Sequence, residues 1–282
     1  MDVYFSGDCK MFRVWLCIWI IVFQATGTAF GESQKQISDP AQELFSKAME
    51  AYEEEEYSLS SKLGLQLGSI YGSARGWWIH GLSAQAAPHL YNNNQSRAEI
   101  SFVLAAELDF APAQYELALM HLTGETAAPD QVYAFNLLSA SADQWPPSKY
   151  YLGKAYLDGL GTEKNEGEGF ALIEEASEKG VPLAQYDMGI FYADGFMVEQ
   201  NLSQAVSFYL AAAENGVLDA EFNLGWAYQH GVGVRKNLAK AVEWYGRAAA
   251  RGDQEAESKL AAICSKKRTI IPLVLSSKVA GC

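Results

Sequence analysis

Several kinds of residue are scarce in this 282-residue chain, and each scarcity excludes a class of chemistry. There are four cysteines, with no CxxC pair and no Cys/His cluster at zinc spacing, so no structural metal site is expected. The four histidines, His80, His89, His121 and His230, are not grouped with carboxylates at ligand spacing. No GxSxG elbow marks a hydrolase nucleophile. Proline is sparse, at eight residues, and the chain is long enough to bury a sizeable core. The uninterrupted apolar run from Val14 to Phe23 is shorter than the roughly 20 residues a membrane-spanning helix needs. Acid is spread unevenly: after Cys264 there is no Asp or Glu, but there are Lys266, Lys267, Arg268 and Lys278.

Over the whole chain acid exceeds base. The net charge is −13, the tail after Cys264 is basic, and residues 1–31 balance Asp2 and Asp8 against Lys10 and Arg13. The segment 32–264 therefore carries the whole excess of acid. Such a body repels phosphate backbones and anionic lipid, so neither nucleic acid nor a membrane surface is an expected partner. The N-terminus reads as a signal peptide over residues 1–31: Lys10 and Arg13, then the apolar run, then small residues suited to cleavage after Ala29 or Gly31. An exported protein, periplasmic or secreted, is expected; an uncleaved anchor is the alternative. Cleavage would remove Cys9 and Cys17 and leave Cys264 and Cys282, which can pair or stay apart.

What is abundant is repetition. "KYYLGKAYLDGLGTEKNEGEGFALIEEASEKG" from Lys149, "QYDMGIFYADGFMVEQNLSQAVSFYLAAAENG" from Gln185 and "EFNLGWAYQHGVGVRKNLAKAVEWYGRAAARG" from Glu221 align without gaps at a period of 36. Gly153, Gly189 and Gly225 coincide, as do Tyr156, Tyr192 and Tyr228; Gly159, Gly195 and Gly231; and Asn165, Asn201 and Asn237. A fourth copy begins at Gln114, with Ala118, Gly124 and Asp130 in the corresponding places. Each copy predicts a helical hairpin. Met188, Phe191 and Tyr192 share one face of a first helix. Gly195 ends that helix as a left-handed cap, and Asn201 opens the second as its N-cap. Ala205, Tyr209 and Ala212 form the apolar stripe of the second helix, and Gly216 closes it. Gly189 costs helix propensity, so its recurrence predicts close approach of a neighbouring helix. Hairpins of this kind cannot bury their faces alone and must stack.

The glycine-rich stretch "YQHGVGVRKN" at residues 228–237 is thereby read as a helix stop and turn. A dinucleotide loop follows a strand and carries different glycine spacing, whereas here a helix precedes and no cofactor is expected. His121 occupies the recurring tyrosine position and is expected to pack in the core.

The recurring pattern "YxLGxAYxxGxGxxKNxxKAxxWYxxAAxxG" resembles the Sel-one-like repeat, a relative of the tetratricopeptide repeat. The resemblance is strong over residues 112–264. It implies an all-α, right-handed superhelical solenoid of antiparallel helix pairs with a concave binding surface, and an adaptor role in protein complexes. The organisation expected on this reading is a linker at 32–40, a tetratricopeptide-like hairpin at 41–70, a degenerate repeat at 71–111, four repeats at 112–252, a capping helix at 253–264 and a basic flexible tail at 265–282. One branch of the family carries a cysteine pair in each repeat and is linked to β-lactam binding; those cysteines are absent here.

In the tetratricopeptide geometry the first helix of each pair lines the groove. Transferred by register, the groove positions are Tyr115 and Leu119, Tyr150 and Lys154, Tyr186 and Ile190, then Phe222, Trp226 and Gln229. The expected occupant is a peptide or amphipathic helix of another protein, with basic flanks to suit the acidic body. The tyrosines and Phe222 recur in register and can equally pack between repeats, whereas Trp226 and Lys154 do not recur. The alternatives are a cell-envelope enzyme on the same scaffold, for which no catalytic cluster is found, and a structural spacer.

Overall fold

The computed structural model describes residues 40–88 and 94–270, and among these residues every regular element is a helix. The expected signal segment, His89 and Cys282 lie outside the described residues. Cys264 is disulfide-bonded. The helices are α1 (Pro40–Glu53), α2 (Tyr57–Tyr71), α3 (Ala74–Ala86), α4 (Asn94–Ala106), α5 (Ala111–Thr123), α6 (Gln131–Ser141), α7 (Pro146–Asp158), α8 (Glu166–Glu178), α9 (Pro182–Asp194), α10 (Leu202–Glu214), α11 (Leu218–His230), α12 (Leu238–Ala250) and α13 (Gln254–Ile270). None is long and apolar enough to cross a membrane. The C-terminal helix continues to Ile270, past the expected cap at Cys264.

Contacts divide the chain after Gly169 into two compact units. In each, successive helices pack on one another as hairpins. The ends of the helices follow from local chemistry. Proline sits in the first turn of α5, α7 and α9, where no N–H partner is lost. The Oδ1 of Asp130, Asn165 and Asn201 each accepts one backbone N–H, from Tyr133 at 3.0 Å, Glu168 at 3.1 Å and Gln204 at 3.0 Å, and that of Asn237 accepts from both Ala239 and Lys240. In three copies the backbone N–H of the capping asparagine also donates to the carbonyl of the recurring tyrosine, 156, 192 or 228. The first copy does this differently. His121 Nδ1 accepts the Asp130 N–H at 3.2 Å, and its ring lies edge-on to Tyr133. His121 is therefore a partly exposed loop clamp and not the core residue expected, because its side chain takes over a backbone carbonyl's role.

The recurring helical glycine seats an aromatic ring of the partner helix. A Cβ on Gly189 would stand 2.5 Å from the Tyr209 ring, and one on Gly225 would stand 2.6 Å from Tyr245. In the first unit Gly81 meets Phe102 in the same way. Tyr245 and Phe102 are fully buried, and Tyr209 nearly so. The core of the second unit grows around these seats, from Ala205, Val206, Ala212, Leu224 and Trp244 on one side and Ala241, Val242, Ala248 and Ile263 on the other.

The stretch 228–237 turns the chain as expected and has a second task. Gly231 caps α11 at φ 77°. Gly233, at φ 70°, lies against the Leu202 carbonyl, where a Cβ would collide, and its own carbonyl accepts from Ser203 Oγ at 3.1 Å. The loop is thus bolted to the start of the preceding second helix. Met197 stands at the same register position and holds φ 58° with a side chain, which is 53% exposed.

The first unit also buries a polar chain that the sequence did not advertise. Ser60 donates to the Ala48 carbonyl and accepts from Ser83, while His80 Nδ1 lies 2.8 Å from Ser61 Oγ and 3.0 Å from the Ser61 carbonyl. All four side chains are buried, so this Ser/His pair has no access to a substrate and serves to knit α1, α2 and α3.

Two outcomes follow from this packing. Gly189→Leu should destabilise the protein by about 1–3 kcal/mol through overpacking against Tyr209, read as a lower urea midpoint; an unchanged midpoint would exclude the close contact. Burial pushes the His80 imidazole below its ordinary value of 6.5, so the unfolded chain binds the extra proton first. Its contribution should be complete above that value and be lost as pH falls below it. The pH slope of stability between about 5 and 7 should shrink in His80→Gln, measured by urea melts across that range.

Candidate partner-binding face

The nine expected groove residues fall on the first helices of the four repeats. In the first unit these are α5 and α7. Tyr115 and Tyr150 are buried, with 3% and 7% of their surface exposed, which corrects the expectation that they are presented to a partner. Both rings pack on Tyr151, at 5.7 and 5.0 Å, and fill the seam between the helices. Leu119 and Lys154 are half-buried.

In the second unit the first helices are α9 and α11. Tyr186 leans on the Tyr209 ring at 5.8 Å and accepts from Asn223 Nδ2 at 3.5 Å. Ile190 packs against the apolar core from its edge. Phe222 meets Tyr245 edge-on at 5.5 Å, and Gln229 Oε1 accepts the Tyr245 hydroxyl at 2.9 Å. Gln229 therefore completes a buried tyrosine, a structural task that leaves it only partly available. Trp226 differs from all of these. It is 42% exposed, and its indole rests on the His230 ring at 4.8 Å. His230 is held in turn, with Nδ1 2.9 Å from the Trp226 carbonyl. The indole is thus a large apolar surface backed by a fixed ring, which lowers the entropy lost when a partner covers it.

The surroundings are acidic. The Tyr186 hydroxyl is pushed well above its ordinary range, first by burial and then by Asp219 and Asp187. Burial, and after it the nearby Asp253, raises the Asp219 carboxyl. Tyr209 and Tyr245 are each pushed up to about 12, chiefly by burial. These phenols stay protonated at neutral pH, and that of Tyr245 donates to Gln229. Among the described residues no three His, Cys, Asp or Glu side chains converge as metal ligands. Reasoning from the sequence missed Asn223, His230 and Asp219. Only His230 carried a signal, lying one helical turn beyond Trp226.

The Sel1 repeat family model matches residues 111–144, 146–181, 182–217 and 218–253. Among solved structures, the chain is similar to a Sel1 repeat protein from Oxalobacter formigenes, at 28% identity and a TM-score of 0.66, over 73% of this chain and 59% of that one. It is also similar to a protective antigen with the SLR fold from uropathogenic Escherichia coli, at 28% identity and a TM-score of 0.61, over 72% of this chain and 44% of that one. The chain thus spans about half the length of these relatives. No curated protein matches its sequence.

Proposed function

Because the chain belongs to the Sel1 repeat family, whose repeats generally form non-catalytic scaffolds for protein–protein interaction, we propose that it is an exported adaptor that holds a peptide or amphipathic helix of a partner protein on the first-helix face of its second unit. Trp226 carries this reading. It is exposed on α11, and the same position holds Ile190 and Lys154 in the preceding copies, so no packing rule shared by the repeats demands an aromatic there. Large aromatics backed by fixed side chains are frequent anchors of interfaces. Asp219 and Asp187 near Tyr186, with the acidic body, favour a partner whose flanks are basic. Export rests on the N-terminal 31 residues, whose charge, apolar run and small residues have the pattern of a signal peptide.

Trp226→Ala should leave the urea midpoint nearly unchanged and weaken capture of the native partner at least about tenfold, which corresponds to about 1.4 kcal/mol. A sharp loss of stability with normal binding by the folded fraction would place the partner surface elsewhere. Export has a separate test: N-terminal sequencing of the mature protein should begin at Phe30 or Glu32, and an intact N-terminus in a membrane fraction would overturn it.

A further inference from the structure

We propose that the second unit carries another site, a cleft formed by the C-terminal half of α8 with α9 and α10, which takes the arginine side chain of a partner polypeptide. It shares no residue with the Trp226 face and does not depend on that face being used.

The cleft has an equivalent place one repeat later. There the chain supplies its own arginine. Arg247, on α12, sets its Nε 3.1 Å from Glu221 Oε1 and donates from its terminal nitrogen to the Ala213 carbonyl at 3.3 Å. Its guanidinium lies 4.5 Å over the Trp244 ring. Three kinds of group thus receive one guanidinium: an acceptor on the first helix, a carbonyl at the end of the preceding second helix, and an aromatic face.

Moved back by one period of 36, these positions read Gln185 for Glu221, Ser177 for Ala213, Phe208 for Trp244 and Ala211 for Arg247. An acceptor, the carbonyl and a ring are kept, the acceptor without a charge; Arg247 is replaced by a residue that ends at Cβ, and Arg251, which pairs with the other oxygen of Glu221 at 3.2 Å, by Asn215. The consequence is an open cleft of about 400 Å³ lined by Gln185, Ser177, Phe208 and Ala211, with Met188 as part of its apolar lining. Gln185 Oε1 is buried and accepts no hydrogen bond, an arrangement that costs free energy until a donor arrives. Glu174 and Glu178 also line the cleft, whereas no Lys or Arg among the described residues does. Phe208 is held by stacking on Tyr192 at 5.5 Å. A guanidinium suits this set better than an ammonium, because its planar fork stacks on a ring while donating to several acceptors at once.

The test is titration of the purified full chain with acetyl-arginine amide and, separately, acetyl-lysine amide, followed by NMR shifts or calorimetry. The arginine probe should bind at least about tenfold more tightly. The variant Gln185→Glu/Ala211→Arg restores the pair found one repeat later and should abolish arginine binding by filling the cleft. Phe208→Leu keeps an apolar side chain without the π face and should weaken arginine binding severalfold, while Trp226→Ala should leave it unchanged. Equal binding of the two probes, or full arginine binding by the filled variant, would overturn the proposal. If the filled variant does not fold, undiminished binding by Phe208→Leu overturns it.

Discussion

The rest of the structure depends on a ring set against a bare backbone. At Gly189 and Gly225 the first helix carries no Cβ, and Tyr209 or Tyr245 from the second helix occupies the space. A glycine inside a helix costs about 1 kcal/mol relative to alanine, so it persists only where close approach returns more. Here it lets two helices of one hairpin share a large aromatic, which buries a large apolar area at one point. The capping asparagines and left-handed glycines then fix where each helix begins and ends, so the ring and its seat arrive in register. A repeat protein multiplies one such solution, since each hairpin needs only its neighbours to complete its core.

That economy separates positions that build the scaffold from positions that are free to vary. The glycine seat, the capping asparagine and the alanines at the hairpin crossings repeat. Between them lie positions where successive copies differ in chemistry: Ile190 against Trp226, Gln185 and Ala211 against Glu221 and Arg247, Met197 against Gly161 and Gly233. The differences are informative because the backbone around them is nearly constant. An exposed indole on α11 and an unfilled arginine position beside α10 are departures from a rule the same molecule states elsewhere, and departures of this kind are where a scaffold acquires partners. Met197 is such a departure with no physical account beyond its left-handed backbone, a conformation unusual for a side chain of this kind.

The buried groups bear on function by what they withhold. His80 and Ser61 form the sort of pair that activates a nucleophile, yet both are closed off among helices. The phenols of Tyr209 and Tyr245 are held protonated by burial. On the first helices of the second unit, the Trp226 indole stays exposed, and Asp219 and Asp187 lie near Tyr186. That combination suits recognition of a polypeptide with apolar anchors and cationic neighbours.

The sequence by itself determined the period, the hairpins, the caps and the reason for the recurring glycines, because these depend on local backbone preferences and on patterns that every copy repeats. It also set the charge, and with it the class of partner disfavoured. It did not separate Tyr115 and Tyr150, which lie in a helix seam, from Trp226, which faces solvent. All three are aromatics on first helices, and only the neighbouring helix decides which face is covered. It placed His121 in the core by register, whereas a side-chain hydrogen bond to the Asp130 N–H holds it at the loop. It gave no hint that Gln185 lacks a donor or that Arg247 fills a space Ala211 leaves open, because both depend on three helices meeting at one point. Register shows which residues correspond, while packing in three dimensions shows which of them already have a partner.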